Sequence, residues 1–177
     1  VVNGYGTNSA CVKASDLQAY CAGTNDVGQL GLATTSGAVV PFSAAAKFRL
    51  DLANPGPAVG SGSSLTVVKI YNQDRFTCVI ASDNQAYCAG ENNFGQLGQN
   101  NFTVNVGFGK SIPGRAQIPA NIPVTEVILT YHGGTEGIFF HVNDAPDASI
   151  YMSGHNGFGT ANDGAFIGSC AGAGGGG

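Results

Sequence analysis

Residues 10–31 read ACVKASDLQAYCAGTNDVGQLG, and residues 77–98 read TCVIASDNQAYCAGENNFGQLG. The two stretches align without a gap at an offset of 67 residues, and 16 of their 22 positions are identical. Repetition at a fixed period marks an array, in which each unit buries its apolar face only against a neighbour. A third, eroded copy runs FFHVNDAPDASIYMSGHNGFGTANDG over 139–164. There Tyr151 answers Tyr87 and Tyr20, Gly154 answers Gly90 and Gly23, and Asn156 and Gly159 answer Asn92 and Gly95.

Composition narrows the fold class. The 177-residue chain is 43% hydrophobic but only 10% charged, and it holds 28 glycines. Solubility must rest on Asn, Gln, Ser and Thr. Disordered chains combine low hydrophobicity with high net charge, so this one folds. Many short strands joined by Gly- and Asn-rich turns fit, which makes the chain all-β. A net charge of −4 with seven scattered basic residues argues against nucleic-acid binding. No stretch reaches the roughly 20 apolar residues of a membrane span. With Val1 at the start and no signal peptide, a mature, processed product is expected.

The cysteines come next. Cys11 and Cys21 flank one copy, and Cys78 and Cys88 flank the second. Around them CVKASD and QAYCAG read as two strands of a hairpin with a three- or five-residue loop. A separation of ten is even, so each pair can face across the hairpin, where opposed Cβ atoms lie about 4.5–5.5 Å apart. In the third copy Phe139 and Met152 stand at these positions, so both cysteines are lost together, as spatial partners are. Each bridge closes a loop of about 11 residues, a contribution of roughly 2.5–3 kcal/mol. Buried free thiols are the competing arrangement; zinc is disfavoured by the spacing and by the lack of a nearby histidine. Bridged pairs imply an oxidising, extracellular or cell-surface location. Cys170 is left over, as a free thiol or an intermolecular link.

The pattern C-x-x-x-x-(D/N)-x-x-x-Y-C-x-G-x-N-x-x-G-Q-L-G resembles the regulator of chromosome condensation repeat in its cysteine-bearing, bacterial secreted form. That resemblance implies four-stranded blades assembling into a β-propeller, usually of seven blades. LTVVKIYN (65–72) and VTEVILTY (124–131) read as the first strands of copies two and three. Segments 32–64 and 99–123 are long enough to add outer strands or a short helix. The expected organisation is repeat 1 with its connection over 1–64, repeat 2 over 65–123, a degenerate repeat 3 over 124–170, and a Gly-rich tail over 171–177. Three propeller-like antiparallel blades cannot close a ring, which typically needs 4–8, so an incomplete array is expected. Copy one has only Val1-Val2 where copy two has LTVVKI, and copy three has no room for an outer strand. The nucleotide-exchange activity of the family's nuclear member does not carry over, because its wedge has no counterpart here.

Open sheet edges invite pairing, and head-to-tail contacts produce filaments when the rotation does not close. The leading expectation is thus an extracellular self-assembling subunit, whose partners are copies of itself. The alternative is a protein- or glycan-binding module, or a fragment, of a larger secreted propeller. For binding, Tyr5, Tyr71, Phe76, Phe94, Phe102, Tyr131 and Phe158 offer aromatic platforms, although Phe94 and Phe158 occupy matched loop positions suited to packing between blades.

Catalysis has little to stand on. Asp16 and Asp83 occupy matched turns, where Asp satisfies local N–H groups. Asp26 and Asn93 also match, and Glu91 has only Thr24 opposite. His132, His141 and His155 would have to converge to form a site. No catalytic residue and no bound metal or other cofactor is expected; the oxygen-rich Asn25-Asp26, Glu91–Asn93 and Asn162-Asp163 come closest, as a weak calcium candidate without a full ligand set. Asn101-Phe102-Thr103 is an N-glycosylation sequon.

Overall fold

The computed structural model describes residues 8–34, 39–53, 65–92, 95–99, 110–119, 122–132, 135–144 and 147–154. They form three antiparallel sheets in chain order. The first contains β1 (Ser9–Lys13), β2 (Ala19–Gly23) and the short β3 (Ala46–Lys47). The second contains β4 (Val67–Gln73), β5 (Phe76–Ala81), β6 (Ala86–Gly90) and β7 (Lys110–Arg115). The third contains β8 (Val124–His132), β9 (Thr135–Asp144) and β10 (Asp147–Gly154). These are three stacked blades with no closed barrel among the described residues, and only the second shows the four strands that the resemblance implied.

Repeated sequence gives repeated register. Cys11 pairs with Cys21, Cys78 with Cys88 and Phe139 with Met152, so the third copy keeps the register without the cysteines. The Cys11 and Cys21 sulfurs lie 2.06 Å apart and those of Cys78 and Cys88 2.12 Å apart, so both pairs are at bonding distance. The first hairpin closes over residues 14–18, with Ala14 N–H donating to the Gln18 carbonyl (2.9 Å). The long connections resolve differently. In segment 32–64 the described residues form β3, an isolated antiparallel bridge from Val40 to Gly23, and single 3₁₀ turns at Phe42–Ala44 and Leu50–Leu52; segment 99–123 supplies β7, a full outer strand.

The first strands of blades two and three share an irregularity. The ladder slips by one residue between Val67 and Lys69, and again between Val124 and Glu126. Each slip is a bulge, which leaves one residue unpaired within its ladder. Val1-Val2, the residues that would open blade one, lie outside the described residues. So do Asn101, Cys170 and the Gly-rich tail.

Two apolar layers hold the blades together. The Cys11–Cys21 face of blade one packs with Leu30, Phe48 and Leu50 against Val67, Ile70, Val79, Ala81, Tyr87 and Ala89 of blade two. The opposite face of blade two, with Tyr71, Phe76, Ile80 and the Cys78–Cys88 pair, packs against Val124, Val127, Ile138, Phe140 and Val142 of blade three. Equivalent strands thus build equivalent seams twice.

Candidate functional site

The D-x-Q-x-Y segment of each repeat forms the hairpin tip, and its side chains work in both directions. Asp16 Oδ1 accepts from the Gln18 N–H (3.0 Å) and Oδ2 from the Tyr20 hydroxyl (2.9 Å). Asp83 repeats this with Gln85 N–H (3.1 Å) and the Tyr87 hydroxyl (2.7 Å). The donated bonds hold the Asp16 carboxyl below its usual range, with the Gln18 N–H the larger cause. Both aspartates are therefore turn braces.

The tip also grips the next blade. Leu17 and Asn84 occupy the matched position in the left-handed region, at φ 62° and 57°. Their carbonyls accept from Val67 N–H (2.7 Å) and Val124 N–H (2.8 Å), the opening residues of the following sheets. Beside them Gln18 Nε2 donates to the Leu65 carbonyl, and Gln85 Nε2 to that of Ile122, each at 3.2 Å. A lysine completes each seam. Lys13 Nζ donates to the Val68 carbonyl (3.4 Å), and Lys69 Nζ to that of Thr125 (2.9 Å). Val68 and Thr125 are the bulged residues, and their carbonyls receive from the preceding blade the partner that the ladder cannot give.

At the other end of the blades the QLG loops close on themselves. Asn25 and Asn92 side chains accept from the Leu30 and Leu97 N–H groups (3.1 and 3.0 Å), placing both leucines in the core. Arg75, in the β4–β5 turn, pairs with Glu91 of its own blade and lies 3.8 Å from Asp26 of the previous one. The oxygens that the sequence offered to calcium at Asn25, Asp26 and Glu91 are engaged by protein donors.

Other expected site residues fare differently. Tyr71 and Phe76 are not exposed platforms: the seam between blades two and three buries both, to 8% and 0% exposure. Tyr5, Phe94, Phe102, Phe158, Asn93, His155, Asn162 and Asp163 lie outside the described residues, and so does the side chain of Tyr131. His132 ends β8 opposite Thr135, while His141 pairs with Glu126 at the far end of the same ladder, so the two do not converge. Among the described residues, no group of three or more His, Cys, Asp or Glu is placed to hold a metal ion. No helix among them is long and apolar enough to cross a membrane.

Burial of Tyr71 beside Glu126 also has a titration consequence. Desolvation is the larger cause and the nearby carboxylate the next, together raising the phenol to about 12 from 10. The folded state then holds the proton that the unfolded state releases first, so stability declines as pH climbs from about 10 through about 12. Tyr71→Phe is expected to flatten this decline in urea midpoints measured across that window.

What remains is what the end blades leave uncovered. Val12 and Tyr20 of blade one match Val79 and Tyr87 of blade two. Val79 and Tyr87 are fully buried, whereas Val12 is 44% exposed and Tyr20 half-buried. At the far side of blade three, Ile128 is 52% and Ile150 38% exposed. They line a groove of about 450 Å³ with Glu126, Phe139 and His141. Apolar side chains are thus exposed on both end faces.

The three antiparallel sheets and their repeated seams have the architecture of a partial β-propeller. Residues 74–96 match the model of the Regulator of chromosome condensation (RCC1) repeat. Prp20p from Saccharomyces cerevisiae, characterised with its binding properties to Gsp1p and histones, superposes with TM-score 0.62 at 14% identity, over 90% of this chain and 36% of its own. Yeast RCC1 (Prp20) bound to Kap60 gives 0.62 at 13% identity, over 89% and 34%. Human WBSCR16 gives 0.62 at 15%, over 92% and 35%. The chain therefore spans about a third of the length of these propellers. Comparison with curated proteins finds no match.

Proposed function

We propose that this chain is a non-catalytic, protein-binding segment of a larger propeller, working in an oxidising compartment outside the cytoplasm. One observation carries the reading: Val12 and Tyr20 present to solvent the side chains that blade two buries completely at Val79 and Tyr87. A surface with the composition of an internal seam is suited to being covered by protein, most simply by another blade. The cysteine pairs at bonding distance support the compartment. Similarity to propellers favours this reading over the self-assembling filament subunit, for which the fold supplies no separate support; glycan binding likewise has none.

Sedimentation of the purified chain over a wide concentration range tests the choice. A defined monomer or small oligomer is expected, and open-ended growth with concentration would instead establish the filament. A matched pair of substitutions tests the carrying observation. Val79→Ala is expected to cost about 2 kcal/mol, from two lost methyl groups and a cavity in the seam. Val12→Ala should stay within about 0.5 kcal/mol in the isolated chain, as exposed substitutions do. Equal costs in urea unfolding would mean that the face of blade one is already covered.

A further inference from the structure

The far face of blade three continues the two seams in position but not in chemistry. By ladder register, Phe139 and Met152 replace the Cys78–Cys88 pair, and Ile150 stands where blade two has Ala86. Large apolar side chains thus occupy the places where the internal seams keep small ones. The tip glutamine is missing too, since Ser149 stands at the position of Gln18 and Gln85.

The polarity is also inverted. In each internal seam a lysine donates to the bulge carbonyl of the next blade. On blade three Glu126 takes the register position of Lys69, and His141 that of Ile80, which corresponds to Lys13 in blade one. A carboxylate only accepts. The Thr125 hydroxyl lies 2.7 Å from His141 Nδ1 and 3.1 Å from the His141 carbonyl oxygen. One hydroxyl proton satisfies both contacts only when it goes to the carbonyl and Nδ1–H donates in return. The remaining ring nitrogen, Nε2, is then an acceptor when the ring is neutral. Glu126 makes long contacts to Lys69 (3.8 Å) and to the Tyr71 hydroxyl (3.4 Å), yet its side chain stays 54% exposed.

We propose that this groove docks an extended apolar segment of a partner protein bearing a lysine or arginine, rather than another blade of the same kind. Ile128, Phe139 and Ile150 form the apolar walls, and Glu126 with His141 supplies the acceptors for the cationic head. The inference rests on the protein-binding reading above and names the chemistry of one partner.

The test uses the full chain, isotope-labelled for NMR, and three capped nonapeptides that alternate valine with arginine, glutamine or glutamate. The arginine peptide is expected to shift the amides of Ile128, Phe139, His141 and Ile150, and to bind roughly 10-fold tighter than the glutamine peptide, as one charge-assisted hydrogen bond provides. Glu126→Gln should remove that preference and Glu126→Lys should reverse it, with the amide spectrum of blade one, which Glu126 does not touch, unchanged as the folding control. Absence of binding, equal binding of all three peptides, or shifts elsewhere would overturn the proposal. Shifts confined to Val12 and Tyr20 would defeat it while leaving the protein-binding reading intact. Open-ended polymerisation in sedimentation would defeat that reading itself.

Discussion

Gly90→Ala is expected to destabilise the fold severely. Gly90 ends β6 at φ +122°, and a Cβ there would collide with the Arg75 carbonyl oxygen and the Phe76 backbone. Backbone strain of this kind alone costs about 1–3 kcal/mol. The colliding atoms are main chain in a buried hairpin and cannot swing aside, so the total should exceed about 3 kcal/mol. That is a large share of the roughly 5–15 kcal/mol typical of a folded domain. Gly23 repeats the arrangement in blade one, at φ +112° against the Asn8 carbonyl. Circular dichroism during urea unfolding should show a large fall in midpoint for each variant. A native-like midpoint would mean that the β4–β5 turn can shift away.

The second large effect is the loss of a cysteine pair. Cys78→Ala with Cys88→Ala should cost about 3 kcal/mol through the freed loop. Both residues are fully buried in the seam with blade three, so lost packing adds to that figure. At about 2–4 °C per kcal/mol for a chain of this size, the melting temperature should drop by roughly 6–12 °C or more. Treatment with a strong reductant should move the wild type in the same direction and leave the quadruple alanine variant, which also lacks Cys11 and Cys21, unchanged. A wild type indifferent to reductant would show that its thiols are not joined.

How far the sequence carried this picture can be argued residue by residue. The hairpins were legible because side chains alternate with period two, which makes a spacing of ten place two cysteines on one face. Matched copies also exposed the turn role of Asp16 and Asp83. The seams were not legible, because they join residues some 50 positions apart whose meeting depends on how one blade stacks on the next. The Lys13 and Lys69 contacts need a bulge that no local pattern announces. Tyr71 and Phe76 looked available as aromatic platforms because exposure is a property of stacking, not of composition. The retained glutamine of D-x-Q-A-Y was the one visible clue to the clamp, since a braced turn alone has no use for it.

The clamp separates what is contiguous in the chain from what is contiguous in space. Leu17 and Asn84 each hold the strand that opens the following sheet, so a length of 67 residues carries one sheet's tip together with its hold on the next. Genetic duplication or excision of that length would rejoin every tip to an opening strand of the kind it already grips. Such an array can change its number of blades in single steps without inventing a new contact, and only its terminal faces would have to acquire a chemistry of their own.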